Sequence, residues 1–235
     1  MLATAPALQF QFRPGTQDRD VFQEVVQGNC YHLPHFFAPD DIIIDGGAHI
    51  GSFAVACAGR GARRIHCYEP DRDNFRYLTG NTNSLIGVRR RQCALWRSDC
   101  EEEVCFSGYP EGSTCCGTVL PNVTVGGQNK REPVATVSLD EAIREATDDG
   151  KERVRLLKLD IEGAEFVVLG TSKKLDLVDE IVGEIHEVVP GSSSNMKRFD
   201  AECLGEYLAD QGFSVSVFKE AYWNAPKLKL ISARR

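Results

Sequence analysis

Residues 42–53 read IIIDGGAHIGSF, a β-branched apolar run that ends in an acid and turns through three glycines into a helical pattern. A short apolar run bounded by such a turn predicts a fully buried strand over Ile42 to Asp45, with a helix following over Ser52 to Gly59. Strand, glycine turn and helix form the opening unit of a parallel α/β sheet, in which ligands bind at the C-terminal end of the strand. Gly46, Gly47 and Gly51 would let the backbone approach such a ligand closely. The spacing is not that of the dinucleotide fingerprint, and GGAHIG holds no Lys or Arg to match a pyrophosphate. An adenosine ligand without phosphates suits that lack of basic residues.

The next apolar run, Ile65 to Glu69, ends in YEP, so Glu69 stands about two dozen residues beyond Asp45, where a carboxylate accepts both hydroxyls of a ribose. Pro70 ends that strand. Taken singly, Asp45 reads equally as a helix cap and Glu69 as a solvated acid. Further strands are predicted over Val88 to Leu95, Arg155 to Asp160 and Glu180 to His186. Helices are predicted over Asp73 to Asn83 and over Ser138 to Thr147, the latter with a Ser cap. Phe199 to Gln211 reads as a helix closed by Gly212. An antiparallel pair follows, Phe213 to Lys219 and Lys227 to Ser232, turning through Trp223 and Pro226. Residues 101–137, rich in Gly, Ser, Pro and Thr, read as an insertion of loops and short strands, and residues 1–40 as a helical cap over the strands' C-terminal edge.

With 235 residues, 42% hydrophobic and 26% charged, the chain suits one domain over 1–235 around one sizeable core. A net charge of −7 opposes binding to nucleic acid or to an anionic membrane and favours a small-molecule or protein substrate. No apolar run approaches the roughly 18 to 20 residues of a membrane helix, and MLATAPALQFQFRPG lacks the basic start and apolar core of a secretory signal, so a cytoplasmic location is expected. The nine cysteines are odd in number and read mostly as reduced thiols. Cys100, Cys105, Cys115 and Cys116 lack a CxxC pair, and no zinc is expected there.

Four stretches, IIIDGGAHIG (42–51), YEPDRDNFRYLTGNTNS (68–84), LLKLDIEGAEFVVLG (156–170) and IVGEIHE (181–187), resemble the FkbM family of methyltransferases. The likeness runs from Tyr31 to Val189, and KLDIEGAE is its most specific part. The resemblance implies a Rossmann-like class I methyltransferase, an α/β fold with seven mostly parallel strands in the order 3-2-1-4-5-7-6, helices on both faces and the seventh strand antiparallel. It also implies S-adenosylmethionine as cofactor, with Asp45, Gly46, Gly47 and Gly51 around the methionine part, Glu69 and Pro70 at the ribose, Cys93, Ala94 and Leu95 near the adenine, and Asp160 facing the transferring methyl. His49 is expected to touch the methionine carboxylate through its backbone, its side chain pointing elsewhere. Family members mostly methylate hydroxyls of small metabolites and sugars, so O-methylation in secondary metabolism is the leading expectation. The rivals are N-methylation, another use of the same cofactor, and silent binding. Buried charges in KLDIEGAE and EIHE argue against silence.

Methyl transfer needs in-line positioning, and a base when the acceptor is an alcohol. Strand alternation puts Lys158, Asp160 and Glu162 on one side of the fourth strand and pairs Glu184 with His186 on the fifth. In this fold those strand ends are neighbours. The catalytic candidates are therefore Asp160, His186, Glu184 and Lys158, with Asp160 or His186 as base and Glu184 and Glu187 orienting the His186 ring. Lys158 and Asp160 also read as a buried ion pair that holds the sheet, and Glu165 as a cap or salt bridge. The same acids are plausible ligands for a divalent metal, but a base or an ion pair explains them with fewer assumptions, so no metal is expected. Tyr31 and Trp223 are candidates for the substrate wall or for core packing.

Overall fold

The computed structural model describes residues 10–108, 113–121, 131–187, 199–219 and 228–235. Asp18–Phe22 forms a short helix α1 that runs on into a π-helical turn, Gln23–Gln27. The wholly buried run Ile42–Gly46 is β1, followed by α2 (Ser52–Gly59), β2 (Arg64–Tyr68), α3 (Arg72–Thr82) and β3 (Val88–Arg91). Four short strands follow, β4 (Ala94–Trp96), β5 (Val104–Ser107), β6 (Arg131–Val134) and β7 (Thr136–Ser138). The alternation then resumes with α4 (Leu139–Ala146), β8 (Val154–Leu159), α5 (Glu165–Thr171), β9 (Glu180–His186), α6 (Ala201–Asp210), β10 (Ser214–Lys219) and β11 (Leu228–Arg234).

Seven strands make one sheet in the order β10-β11-β9-β8-β1-β2-β3. Numbered within that sheet, this is 3-2-1-4-5-7-6, the class I methyltransferase order. Every neighbouring pair is parallel except those of β11, which runs antiparallel to β9 and β10. Alternation along β1 explains the layering. Ile42 and Ile44 pack on one face with Ile143 of α4, Val168 of α5 and Leu204 of α6, while Ile43 packs on the other with Phe53 and Ala54 of α2. A strand covered on both faces is apolar throughout, which is why this one showed no polar alternation.

Helix starts are capped as local chemistry requires. Asp71 accepts from Asn74 N (2.8 Å), Ser138 from Glu141 N (3.1 Å) and Asp200 from Cys203 N (2.8 Å), each worth about 1 kcal/mol. Gly212, at φ +87°, closes α6. The expected strand over Val88 to Leu95 is two elements, not one. Arg89 and Arg91 are exposed on the sheet edge, whereas Cys93 to Trp96 are buried, so the chain leaves the edge and β4 pairs with β7 in the core. The insertion contributes the antiparallel pair β5–β6 and sends Val104, Phe106 and Leu120 into the core shared with Ile42. The expected turn through Trp223 and Pro226 lies outside the described residues. Among the described residues no helix is long and apolar enough to cross a membrane.

Candidate functional site

A cavity of about 420 Å³ opens at the C-terminal ends of β1, β2, β8 and β9. The glycine turn forms one wall. Gly47 N and Ala48 N both donate to Tyr68 O (3.0 and 3.1 Å), which lashes the turn to the end of β2. His49 N then donates to Glu69 Oε2 at 2.8 Å, so the amide expected to meet a ligand carboxylate is engaged by Glu69 instead. The glycines also serve a different purpose from the expected one. A Cβ on Gly47 would stand 1.9 Å from Asp160 O, one on Gly46 would stand 2.7 Å from Leu95, and one on Gly51 would stand 2.9 Å from Thr82. They make room for protein neighbours, and of the three only Gly47 lines the cavity. At φ +73° Gly47 is in the left-handed region as well.

Glu69, only 4% exposed, marks one end of the cavity. Its Oε1 accepts from Asp71 N at 2.9 Å and Asn74 Nδ2 at 3.4 Å. Burial pushes its carboxyl up to about 7, against the pull of those hydrogen bonds. One lone pair on Oε2 stays open to a ligand hydroxyl. Pro70, Ala94, Leu95 and Phe106 supply apolar wall beside it, while Cys93 is buried but does not line the cavity. Ser52 Oγ and His49 Nδ1, on two further lining residues, are buried without a hydrogen-bond partner among the described residues. A hydroxyl-accepting acid, an apolar slot and unsatisfied polar atoms, with Lys158 the sole Lys or Arg in the described lining, fit a nucleoside that bears no phosphate.

Lys158 ties the two ends together. Parallel register sets it opposite Asp45, and its ammonium lies 3.4 Å from Asp45 Oδ1, 3.6 Å from Asp160 Oδ2, and within 2.8 and 3.2 Å of the Gly47 and Gly46 carbonyls. Burial opposes the charge, but Asp45 and Asp160 outweigh it and raise its pKa. Asp45 is wholly buried beneath the cavity floor and does not line it. Lys158 is held under the rings of Tyr31 and Phe53 at 5.7 and 5.9 Å.

At the other end stand Asp160, Glu162, Glu184 and His186. Tyr31 OH donates to Asp160 Oδ2 at 3.0 Å, which places the expected wall residue Tyr31 against the expected base. Trp223, the other expected wall residue, lies outside the described residues. His186 is oriented by different acids from those expected: Nδ1 lies 3.1 Å from Glu165 Oε1 and Nε2 lies 3.2 Å from Glu162 Oε2. Glu184 and Glu187 line the cavity without contacting the ring, because the loop after β8 folds over the end of β9 and brings Glu162 and Glu165 to it. Burial opposes the imidazolium, but Glu162 and Glu165 hold its pKa well above the ordinary value. Glu165 also accepts from Ile161 N (2.9 Å) and Gly163 N (3.3 Å), capping the turn into α5.

Sequence reasoning missed the side-chain contacts that fasten the N-terminal segment beside the cavity. Asp18, wholly buried, accepts from Arg13 and from Thr114 Oγ1 at 2.9 Å, while His49 Nε2 lies 3.2 Å from Thr114 Oγ1. Burial pulls the His49 imidazole down to about 4. These contacts clamp the N-terminal cap and the insertion over the glycine turn. Gln17, Cys115 and Cys116 add to the same wall. Nothing local in the sequence marks Asp18 or Thr114, which are 96 residues apart.

Residues 45–215 match the Methyltransferase FkbM domain family. The chain is 26% identical over 236 residues to Methyltransferase 1 of Beauveria bassiana, covering 89% of this chain and 86% of that protein. It is 28% identical over 235 residues to the AMB antimetabolite synthetase AmbE of Pseudomonas aeruginosa, covering 86% of this chain but only 11% of that much longer protein. Among solved structures, Methyltransferase FkbM from Methylobacillus flagellatus KT superposes with a TM-score of 0.52 at 14% identity, over 96% of this chain and 56% of that one. At that identity the superposition speaks for the fold alone.

Proposed function

This chain belongs to the FkbM family of methyltransferases, and from that premise we propose that it moves a methyl group from S-adenosylmethionine to a hydroxyl of a small metabolite. The observation that carries the reading is one cavity with Glu69 and an apolar slot at one end and Asp160 with Tyr31 at the other. Glu69 would hold the ribose, Pro70, Ala94 and Leu95 the adenine, and Gly47, His49 and Ser52 the amino-acid part. When bound, S-adenosylmethionine supplies a methyl group on a sulfonium, which needs a nucleophile in line rather than further activation.

Asp160 takes the proton from the acceptor hydroxyl. Its Oδ2 serves Tyr31 and Lys158, which leaves Oδ1 for the substrate. His186, the other expected base, has a carboxylate at each ring nitrogen and acts on position instead. Tyr31, Lys158 and the Gly46 carbonyl, which accepts from Asp160 N at 3.3 Å, hold Asp160 in place, and the clamp of Asp18, His49 and Thr114 closes the cavity over the glycine turn. One observation favours N-methylation as a second reading: Asp160, Glu162, Glu184 and Glu187 give the acceptor end the negative potential that draws an ammonium. The relative named as an antimetabolite synthetase supports a setting in secondary metabolism.

Calorimetry with S-adenosylmethionine, followed by measurement of S-adenosylhomocysteine release against panels of alcohols and amines, tests the proposal. Cofactor binding and turnover on alcohols are expected. Turnover on amines alone would replace O- by N-methylation, and failure to bind the cofactor would refute both.

A further inference from the structure

Asp160, Glu162 and His186 each bring one donor atom to a common point, all within 4.8 Å of one another, and we propose that they bind a divalent metal cation at the acceptor end of the cavity. The three converge because Asp160 directly follows β8, Glu162 turns back at a left-handed φ of +56°, and His186 is the last residue of the adjacent strand β9. Ligands about 2.1 Å from an octahedral ion are about 3 Å apart when adjacent and about 4.2 Å when opposite. His186 Nε2 and Glu162 Oε2, 3.2 Å apart, have the adjacent spacing, so an ion fits between them with small side-chain adjustment.

Two observations outside the triad point to the same ligand. Glu165, wholly buried and not part of the cavity lining, grips His186 at Nδ1 and leaves Nε2 directed at the other two donors. This is the outer-shell arrangement that sets the tautomer and ring orientation of a metal-bound imidazole. The Glu184 carboxylate lines the same end of the cavity, within the field of Lys158 and His186 but with no side-chain hydrogen bond or close ion pair to a described residue. Lys158, the one Lys or Arg in the described lining, is already committed to two carbonyls and two carboxylates. A divalent cation among these acids takes the place of the single charge that the His186 imidazolium supplies there, once Nε2 gives up its proton.

One imidazole and two carboxylates suit a first-row ion such as Mn²⁺, with open positions toward the cavity. Those positions would take oxygens of the acceptor, a consequence that rests on the proposed hydroxyl methylation. The binding site itself does not depend on it.

Mn²⁺ titrated into the purified protein without cofactor, followed by electron paramagnetic resonance, is expected to show one ion bound per chain, displaced by Mg²⁺ in excess. Glu162→Gln and His186→Gln should each weaken binding by about 10- to 100-fold, while Glu152→Gln, at the opposite edge of the sheet and outside the cavity lining, leaves it unchanged. Circular dichroism and calorimetry with S-adenosylmethionine report whether each variant remains folded. No bound Mn²⁺ at millimolar concentration overturns the inference, as does binding that survives both triad substitutions. Mn²⁺ binding without cofactor binding would instead leave the metal site standing and remove the methyltransferase reading.

Discussion

Replacing Asp160 by Asn removes one charge and retains size and hydrogen-bonding capacity. Its neighbours then set the cost. Tyr31 OH, now 3.0 Å from Asp160 Oδ2, can donate equally to an amide oxygen. Lys158 keeps Asp45 at 3.4 Å and the two carbonyls at 2.8 and 3.2 Å, so its ammonium is not stranded. The cost to folding should therefore be about 1 kcal/mol, the scale of one weakened hydrogen bond, and not the roughly 3–5 kcal/mol of a broken buried ion pair. Turnover depends on the charge itself, as base or as ion ligand, and should fall by roughly 10² or more, equivalent to about 2.7 kcal/mol in the barrier. Cofactor affinity should hold, since Glu69 and the adenine wall lie at the other end. Turnover by S-adenosylhomocysteine release, affinity by calorimetry and stability by urea unfolding separate these effects. A folded Asn variant with near wild-type turnover would refute the catalytic assignment. A loss of several kcal/mol in stability with turnover intact would show that Asp160 serves only Lys158.

Glu69→Gln should weaken S-adenosylmethionine binding by about 10- to 100-fold, the 1.5–3 kcal/mol of one hydrogen bond to a charged group, because Glu69 Oε1 is already occupied by Asp71 and Asn74; equal calorimetric affinity would remove it from the ribose site. Folded Glu69 titrates near 7 against 4.5 for the free side chain, so between those values the unliganded fold holds a proton that the unfolded chain has released. Stability is greatest below about 4.5 for this group and is lost by up to about 3 kcal/mol as pH rises through about 7. Cofactor affinity rises over the same window, and thermal unfolding of Glu69→Gln should lack this component. Lys158→Met should cost about 3–5 kcal/mol, because it leaves wholly buried Asp45 without its counter-ion; a loss below about 1 kcal/mol in urea unfolding would contradict the pairing. Gly47→Ala should destabilise or unfold the chain, since its Cβ meets the Asp160 carbonyl at 1.9 Å; a stable, fully active Ala variant would refute that packing.

How much of this was legible along the chain varied with how local the cause was. Ser138 opens α4 and Gly212 closes α6 through contacts within a few residues, and both were readable in advance. The edge strand was readable only to Arg91, because what draws Cys93 to Trp96 inward is the insertion, whose strand β7 arrives some forty residues later. Glu69 was legible because its position relative to Asp45 is set by one strand-turn-helix-strand unit. The orientation of His186 was not. Its neighbours Glu184 and Glu187 were the natural partners along the strand, and the actual ones, Glu162 and Glu165, come from another strand's loop, where Glu162 takes a left-handed conformation.

Periodicity, capping residues and the glycine turn determined which segments form strands and helices and named the acids and the histidine of the site, since each depends on interactions within one βα unit and on which residues share a strand face, whereas the order of the sheet was implied by the family resemblance. The tertiary structure alone decided how those residues divide the work. It turned the glycines toward protein neighbours, placed Lys158 between Asp45 and Asp160, aimed His186 Nε2 at Glu162, and closed the cap over the insertion through Asp18, His49 and Thr114. Such contacts join segments brought together only when the core packs, and their geometry follows from the twist and register of the whole sheet.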